Sequence, residues 1–142
     1  METSKVSPTR NDGFKTLIVE DSHSFRQTLK DSLQALFPSM VIQEAEDGRM
    51  VLQKVDVFLP HLIFMDIQLP GENGLSLTRK IRATHPDIKI IIMTSHNGLE
   101  YQEAASQCGA NHFIQKDSLD QGQIESLIKS FMAVSRKDAL RN

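Results

Sequence analysis

Leu62-Ile63-Phe64-Met65-Asp66-Ile67-Gln68-Leu69-Pro70-Gly71 is the stretch that decides the fold. Four apolar residues in succession fit a strand covered on both faces, as in a parallel sheet between two layers of helices. The run meets a carboxylate at Asp66, and Pro70-Gly71 then bends the chain away. An Asp at the end of such a strand stands where open parallel sheets hold ligands, beyond the carboxyl ends of the strands. What the other strands bring to that edge decides whether Asp66 is a site residue or merely precedes a turn.

A chain of 142 residues is expected to form one domain. It buries roughly two-thirds of its unfolded surface and needs neither disulfide nor structural metal to fold. Hydrophobic residues make up 39% and charged residues 24%, with a net charge of −2, so there is no basic footprint for nucleic acid. No apolar run approaches the roughly 20 residues that cross a membrane. The first residues are polar, without the apolar core of an export signal. The single Cys108 reads as a buried, reduced thiol, and the location expected is the cytoplasm.

Outward from Asp66, apolar runs alternate with helical patterns. Lys15-Thr16-Leu17-Ile18-Val19-Glu20-Asp21 is a first strand, apolar until its two acids end it. Ser22 can cap a helix whose stripe is Phe25, Leu29, Leu33 and Leu36, stopped by Pro38. Met40 to Ala45 is a polar, edge-like strand. Asp47-Gly48 leads into a helix carrying Met50, Val51, Val55 and Phe58. After the Asp66 strand, Leu75, Leu77, Ile81 and Ala83 mark a third helix. Ile88 to Thr94 is a fourth strand; residues 99–108 form a weakly apolar helix closed by Gly109. Ala110 to Lys116 is a short fifth strand, and Leu119, Ile124, Leu127, Ile128, Phe131 and Met132 form a last amphipathic helix. Met40, Met50, Met65, Met93 and Met132 are expected to fill the core. Residues 1–14 are expected to be a flexible leader, 15–134 the folded domain and 135–142 a polar tail.

Strand and helix alternate five times, with connections too long for hairpins. The expected fold is α/β: a doubly wound, five-stranded parallel sheet of order 2-1-3-4-5 with five helices, flavodoxin-like. In that order strands one and three are neighbours, and their ends bring Glu20, Asp21 and Asp66 together. Strand four contributes Thr94 and strand five Lys116. Taken singly, each has an ordinary explanation: Asp21 or Thr94 as a helix cap, Asp66 as a loop residue, Lys116 as a rim lysine. Together they are chemically complementary. Three close carboxylates call for a counter-charge, and oxygen-only ligands favour Mg²⁺ or Mn²⁺ over zinc. A carboxylate, a divalent cation, an ammonium and a hydroxyl suit a phosphoryl group, with Asp66 as the in-line nucleophile.

Leu17-Ile18-Val19-Glu20-Asp21, Phe64-Met65-Asp66 with Leu69-Pro70-Gly71, Met93-Thr94-Ser95 and Phe113-Ile114-Gln115-Lys116 resemble, in order and spacing, the motifs of the response-regulator receiver domain of two-component signalling. The resemblance runs from about Lys15 to Phe131, and no helix-turn-helix follows, so a single-domain type is expected. It implies that Asp66 is the phosphoacceptor, served by a sensor histidine kinase, a phosphotransfer protein or a small phosphodonor. It implies Glu20, Asp21, Asp66 and the backbone carbonyl of Gln68 as metal ligands, and Thr94 and Lys116 as contacts to the phosphoryl oxygens. Phe113 falls on the switch aromatic, although a strand Phe is ordinarily just buried. Gln68 and His96 fall where phosphoryl lifetime is tuned; His96 reads equally as a loop histidine. The output would be an unidentified protein bound at the face of the fourth helix, fifth strand and fifth helix, with homodimerisation on phosphorylation another outcome.

Two departures from the family stand out. Phe113 replaces the Tyr of many receivers, which removes any switch hydroxyl. Asp117 replaces the Pro that often follows the lysine, which favours a trans peptide there. The implied protein is no enzyme towards outside substrates. The rival is a phosphatase or mutase with an aspartyl nucleophile, which wants a second Asp where Gln68 stands, and Gln cannot cycle a proton. A flavin carrier is opposed by Glu20-Asp21, which would repel its phosphate.

Overall fold

The computed structural model describes residues 13–95 and 99–141, the backbone alone at 99 and 134–141. In chain order it runs β1 (Lys15–Val19), α1 (His23–Leu36), β2 (Val41–Ala45), α2 (Val51–Phe58), β3 (Leu62–Asp66), α3 (Gly74–Thr84), β4 (Lys89–Thr94), α4 (Leu99–Gln107), β5 (His112–Gln115) and α5 (Gln121–Arg141). A short 3-10 turn at Lys116–Ser118 joins β5 to α5. The strands form one sheet in the order β2-β1-β3-β4-β5, and every pairing is parallel. The expected fold class is the one observed.

The alternation of side chains along each strand sorts the core into two layers. Leu17, Val19, Ile63, Met65, Ile90 and Ile92 face Val51 and Val55 of α2, Leu77 and Ile81 of α3, and Ala105 of α4. Ile18, Phe64, Ile91 and Met93 face Leu29 and Leu33 of α1 and Ile124, Ile128 and Phe131 of α5. β3 lies between β1 and β4 and is buried along its whole length, which explains its unbroken apolar run. β2 is an edge strand with mostly exposed or half-buried residues, hence its polarity.

Local signals set the helix ends. Ser22 Oγ accepts from the Phe25 N–H to cap α1, and Asn73 Oδ1 accepts from Leu75 and Ser76 to cap α3. Gly109, at φ +101°, supplies the left-handed residue that ends α4.

Three expectations need correction. Met50 is not core filler: α2 begins one residue after it, and Met50 is 54% exposed at the cap. Phe14, assigned to the leader, is buried and stacks on His61, while its carbonyl accepts from the Val41 N–H at the sheet edge. α5 runs on to Arg141, past the polar Ser135 where an end was expected. Once a helix is nucleated on its packed turns, each further residue adds a backbone hydrogen bond, so α5 propagates beyond the last apolar position of its stripe. Residues 1–12 of the leader lie outside the described residues.

The α3 end of the sheet is tied down by one side chain that the periodicity did not reveal. The Arg82 guanidinium donates to the carbonyls of Gly109, His85, Pro86 and Ile88 and to Asn111 Oδ1. Asn111 Oδ1 in turn accepts from the Ile90 N–H at 2.8 Å, so α3, β4 and the α4–β5 turn share one fork. Arg82→Ala is expected to destabilise the fold by about 2 kcal/mol, because several carbonyls lose a charged donor at once. Arg82→Lys is expected to recover little, since one ammonium cannot span these acceptors. Chemical denaturation of the two variants checks both.

Candidate functional site

The carboxyl ends of β1, β3, β4 and β5 meet above the middle of the sheet. β1 ends at Val19, which pairs with Met65, so Glu20 and Asp21 leave the sheet beside Asp66. Asp66 pairs with Met93 and Thr94 with Gln115, which sets Thr94 one step beyond Asp66 on β4 and Lys116 one step beyond Thr94 at the end of β5. The sequence-level candidates Glu20, Asp21, Asp66, Thr94 and Lys116 are therefore brought to one edge.

Lys116 Nζ bridges two of the acids, 2.7 Å from Glu20 Oε1 and 3.0 Å from Asp66 Oδ2. It also lies 5.0 Å from the centre of the Phe25 ring, a contact that suits a partly desolvated ammonium. Asp66 Oδ1 accepts from the Gln68 N–H at 3.2 Å, and Glu20 Oε2 from the Ser22 N–H at 2.9 Å. Glu20, Asp66 and Thr94 are buried, whereas Asp21 and Gln68 are exposed at the mouth. No cis peptide bond occurs among the described residues, Lys116–Asp117 included.

The pocket holds more negative charge than one ammonium answers. Burial pushes the Glu20 carboxyl above its ordinary value, against hydrogen bonds from Lys116 and the Ser22 N–H that pull it down, and Asp66 adds its repulsion. Burial alone would lower the Lys116 ammonium, but the hydrogen bonds and charges of Glu20 and Asp66 outweigh it and hold the group above its usual value. Burial therefore prevails at Glu20, and the neighbouring carboxylates prevail at Lys116.

A divalent cation fits this arrangement. Glu20, Asp21 and Asp66 each offer one oxygen, and those atoms lie within 4.8 Å of one another. Opposed ligands of an octahedral Mg²⁺ stand about 4.2 Å apart, so a small contraction would close the set. Buried Glu20 Oε1 already has the Lys116 ammonium at 2.7 Å, so a bound cation and the lysine would share this carboxylate. No other cluster of three potential metal ligands occurs among the described residues.

Phe113 is half-buried and packs against the core layer of α2, α3 and α4, as does Tyr101 of α4. His96 lies outside the described residues. Two residues that sequence reasoning missed stand directly behind the acids. Gly74 begins α3 so close to Asp66 that an added Cβ would lie 2.0 Å from the Asp66 carbonyl oxygen. Arg26 is buried and donates to the Glu20 carbonyl at 2.6 Å.

Sheet order and pocket together define a doubly wound domain with an acid-and-lysine site at its strand ends. The chain belongs to the response regulator receiver domain family, whose description matches residues 16–129. It is 30% identical over 112 residues to the transcriptional regulatory protein DegU of Brevibacillus brevis, covering 78% of this chain and 47% of that protein. It is 33% identical over 99 residues to the DNA-binding transcriptional regulator NtrC of Klebsiella pneumoniae, covering 70% of this chain and 21% of that one. The chain thus spans about half the length, or less, of these curated relatives. Among solved structures, the signal receiver domain of a DNA-binding response regulator from Colwellia psychrerythraea 34H superposes with a TM-score of 0.79 at 25% identity, covering 84% of this chain and 98% of that one. A CheY-like receiver domain from Methanospirillum hungatei JF-1 gives 0.78 at 25% identity, covering 87% and 97%. No helix among the described residues is long and apolar enough to cross a membrane.

Proposed function

We propose that this receiver domain accepts a phosphoryl group on Asp66 and relays the event through its protein surface. A carboxylate oxygen of Asp66 attacks phosphorus in line. The bond from phosphorus to the imidazole nitrogen of a phosphohistidine breaks, and the imidazole leaves with the electron pair and takes a proton from water. The donor is a sensor histidine kinase or a phosphotransfer protein; a small acyl phosphate serves equally, with its carboxylate as leaving group. Lys116 and Thr94 contact the phosphoryl oxygens, and the buried position of both Asp66 and Thr94 limits competing water. Glu20, Asp21, Asp66 and the Gln68 carbonyl would hold Mg²⁺ or Mn²⁺, which when bound offsets the charge of carboxylates and phosphoryl oxygens. The observation that carries the reading is the Lys116 bridge between Glu20 and Asp66.

The chemistry is confined to the chain's own aspartate: formation of the acyl phosphate and its hydrolysis, with Gln68 and His96 at the positions that set its lifetime. Output runs through Thr94 and Phe113 to the face of α4, β5 and α5, where an unidentified protein or a second copy docks. α4 offers Ala105 as its one buried residue before the terminal Cys108-Gly109 turn among the described residues, which suits an element able to shift. The setting is cytoplasmic, without direct binding to nucleic acid or membrane. The phosphatase alternative lacks its acid, since Gln68 occupies that place.

Incubation with acetyl phosphate and Mg²⁺, followed by intact-mass analysis, is expected to show one phosphoryl adduct on the wild type and none on Asp66→Asn. An unmodified wild type overturns the proposal. Turnover of a generic phosphomonoester, lost in Asp66→Asn, would favour the phosphatase instead.

A further inference from the structure

We infer that Arg26 is a positioning residue for the acid pair: its guanidinium holds the Glu20 carbonyl and thereby sets the turn that aims Glu20 and Asp21 at the cation. The inference rests on the metal-binding reading above and adds to it a residue outside the ligand set.

Arg26 is an unusual occupant of its place. It lies in the first half of α1 and on that helix's buried stripe with Leu29 and Leu33. A cation near a helix N-terminus opposes the macrodipole, and a buried guanidinium is costly without partners. Its partners explain it. One arm donates to the Glu20 carbonyl at 2.6 Å, Nε donates to Glu44 Oε1 on β2 at 2.8 Å, and the second arm lies 3.4 Å from His23 Nδ1. Lys30 shares Glu44 from the other side at 2.9 Å, and these two cations hold the Glu44 carboxyl below its ordinary value against some desolvation.

Glu20 is consequently gripped at both peptide groups. Its N–H donates to the Ala45 carbonyl at 3.0 Å and its C=O accepts from Arg26. With the Ser22 N–H on its carboxylate, few degrees of freedom remain in the Glu20-Asp21-Ser22 turn. A site that must place oxygens about 2.1 Å from a small, geometrically strict cation gains affinity from such pre-orientation.

Two effects of Arg26 on a bound cation oppose each other. Its positive charge repels the metal, while its hydrogen bond orients the ligands. Glu44 answers the charge at 2.8 Å, so the field of the pair at the pocket is small and orientation prevails. The sign of the mutant effect separates the two roles.

Calorimetric titration of the unphosphorylated protein with Mg²⁺ alone, alongside thermal melts, provides the test. Arg26→Gln is expected to raise the Mg²⁺ dissociation constant about tenfold, the usual scale for losing a partner that orients a metal ligand. Arg26→Lys, which keeps the charge but cannot fork between two acceptors, is expected to weaken binding as well and guards against misfolding of the first variant. In both, saturating Mg²⁺ should restore the wild-type rate of phosphoryl uptake, a split that simple loss of fold would not give. Unchanged or tighter Mg²⁺ binding in a folded variant overturns the inference while leaving the metal site standing. A wild type that binds no Mg²⁺ removes the metal reading itself, and the inference with it.

Discussion

Gly74→Ala is expected to cost about 3 kcal/mol of stability and to slow phosphoryl uptake roughly a hundredfold. The added methyl would sit 2.0 Å from the Asp66 carbonyl oxygen and 3.0 Å from Ile67 Cα. Both neighbours are backbone, so no flexible side chain can yield. The Gly74 N–H meanwhile donates to the Ile67 carbonyl at 2.9 Å, which ties the helix start to the same loop. Relief requires the first turn of α3 to retreat from the end of β3 by roughly 1 Å, and a shift of that size at a reacting group carries about a hundredfold penalty. Denaturant melts and the rate of acetyl phosphate labelling measure the two effects separately. A stable variant with a wild-type rate would mean that the α3 start and Asp66 are not coupled.

The second large effect is expected at Lys116. Lys116→Met leaves Glu20 and Asp66 facing each other across a buried pocket without their shared cation. Breaking a buried pair costs about 3–5 kcal/mol, and the 16% exposure of the lysine side chain puts the loss near the lower end. The pH dependence follows from the direction of the Glu20 shift. Its folded value already lies above 4.5 because of burial, so the folded state holds its proton longer than the unfolded state does. Stability from that group is therefore complete below pH 4.5 and declines as pH rises through the folded value. Removing Lys116 deletes a group that lowers that value, so the window widens and the variant should approach wild type on acidification. In the wild type the Lys116 contribution is present below pH 10.5 and is lost as pH climbs above it, because its folded value is raised. Mg²⁺ should restore part of the variant's stability by supplying the missing counter-charge. Phosphoryl uptake should fall roughly a hundredfold, the scale for losing one charged contact to a developing anion. Urea titrations from pH 4 to 8, with and without Mg²⁺, check the sign of each trend; equal loss at every pH would contradict it.

The arrangement of the sheet and the composition of its upper edge were legible in the residues for a simple reason. Parallel strands buried on both faces must be apolar along their length, so the residue at which polarity returns marks the carboxyl end. Glu20, Asp66, Thr94 and Lys116 all stand at such transitions, and parallel pairing carries every transition to one edge. Element limits were less legible. Thr94 closes β4, yet Glu20 and Asp21 fall just past the end of β1, because the ladder stops where the chain turns into α1. Met50 looked like a core position, but α2 starts after it, and an apolar cap residue has no helix face to join.

The residues behind the site escaped because their role lies in contacts across layers. Gly74 carries no side chain to read, and its importance arises from the packing of α3 on the end of β3. Arg82 reaches acceptors 27 to 29 residues away at Gly109 and Asn111, beyond any local pattern. Arg26 did leave a trace. It stands three residues before Leu29 and seven before Leu33, on the buried stripe of α1, and a charged residue on an apolar stripe is the mark of a buried partner. The apolar periodicity picks out Phe25 instead, which is only half-buried and lies against the Lys116 ammonium.

The central claim is that the Asp66 carboxylate forms an acyl phosphate. Borohydride reduces an acyl phosphate to the alcohol but leaves free carboxylates intact, so an aspartyl phosphate becomes homoserine. Treating the protein with acetyl phosphate and Mg²⁺, reducing it and sequencing its peptides by mass spectrometry therefore reads the phosphorylated position directly. Homoserine at position 66, and at no other aspartate, is the result predicted. Intact Asp66 throughout, or conversion at Asp21 or another acid instead, would contradict the account.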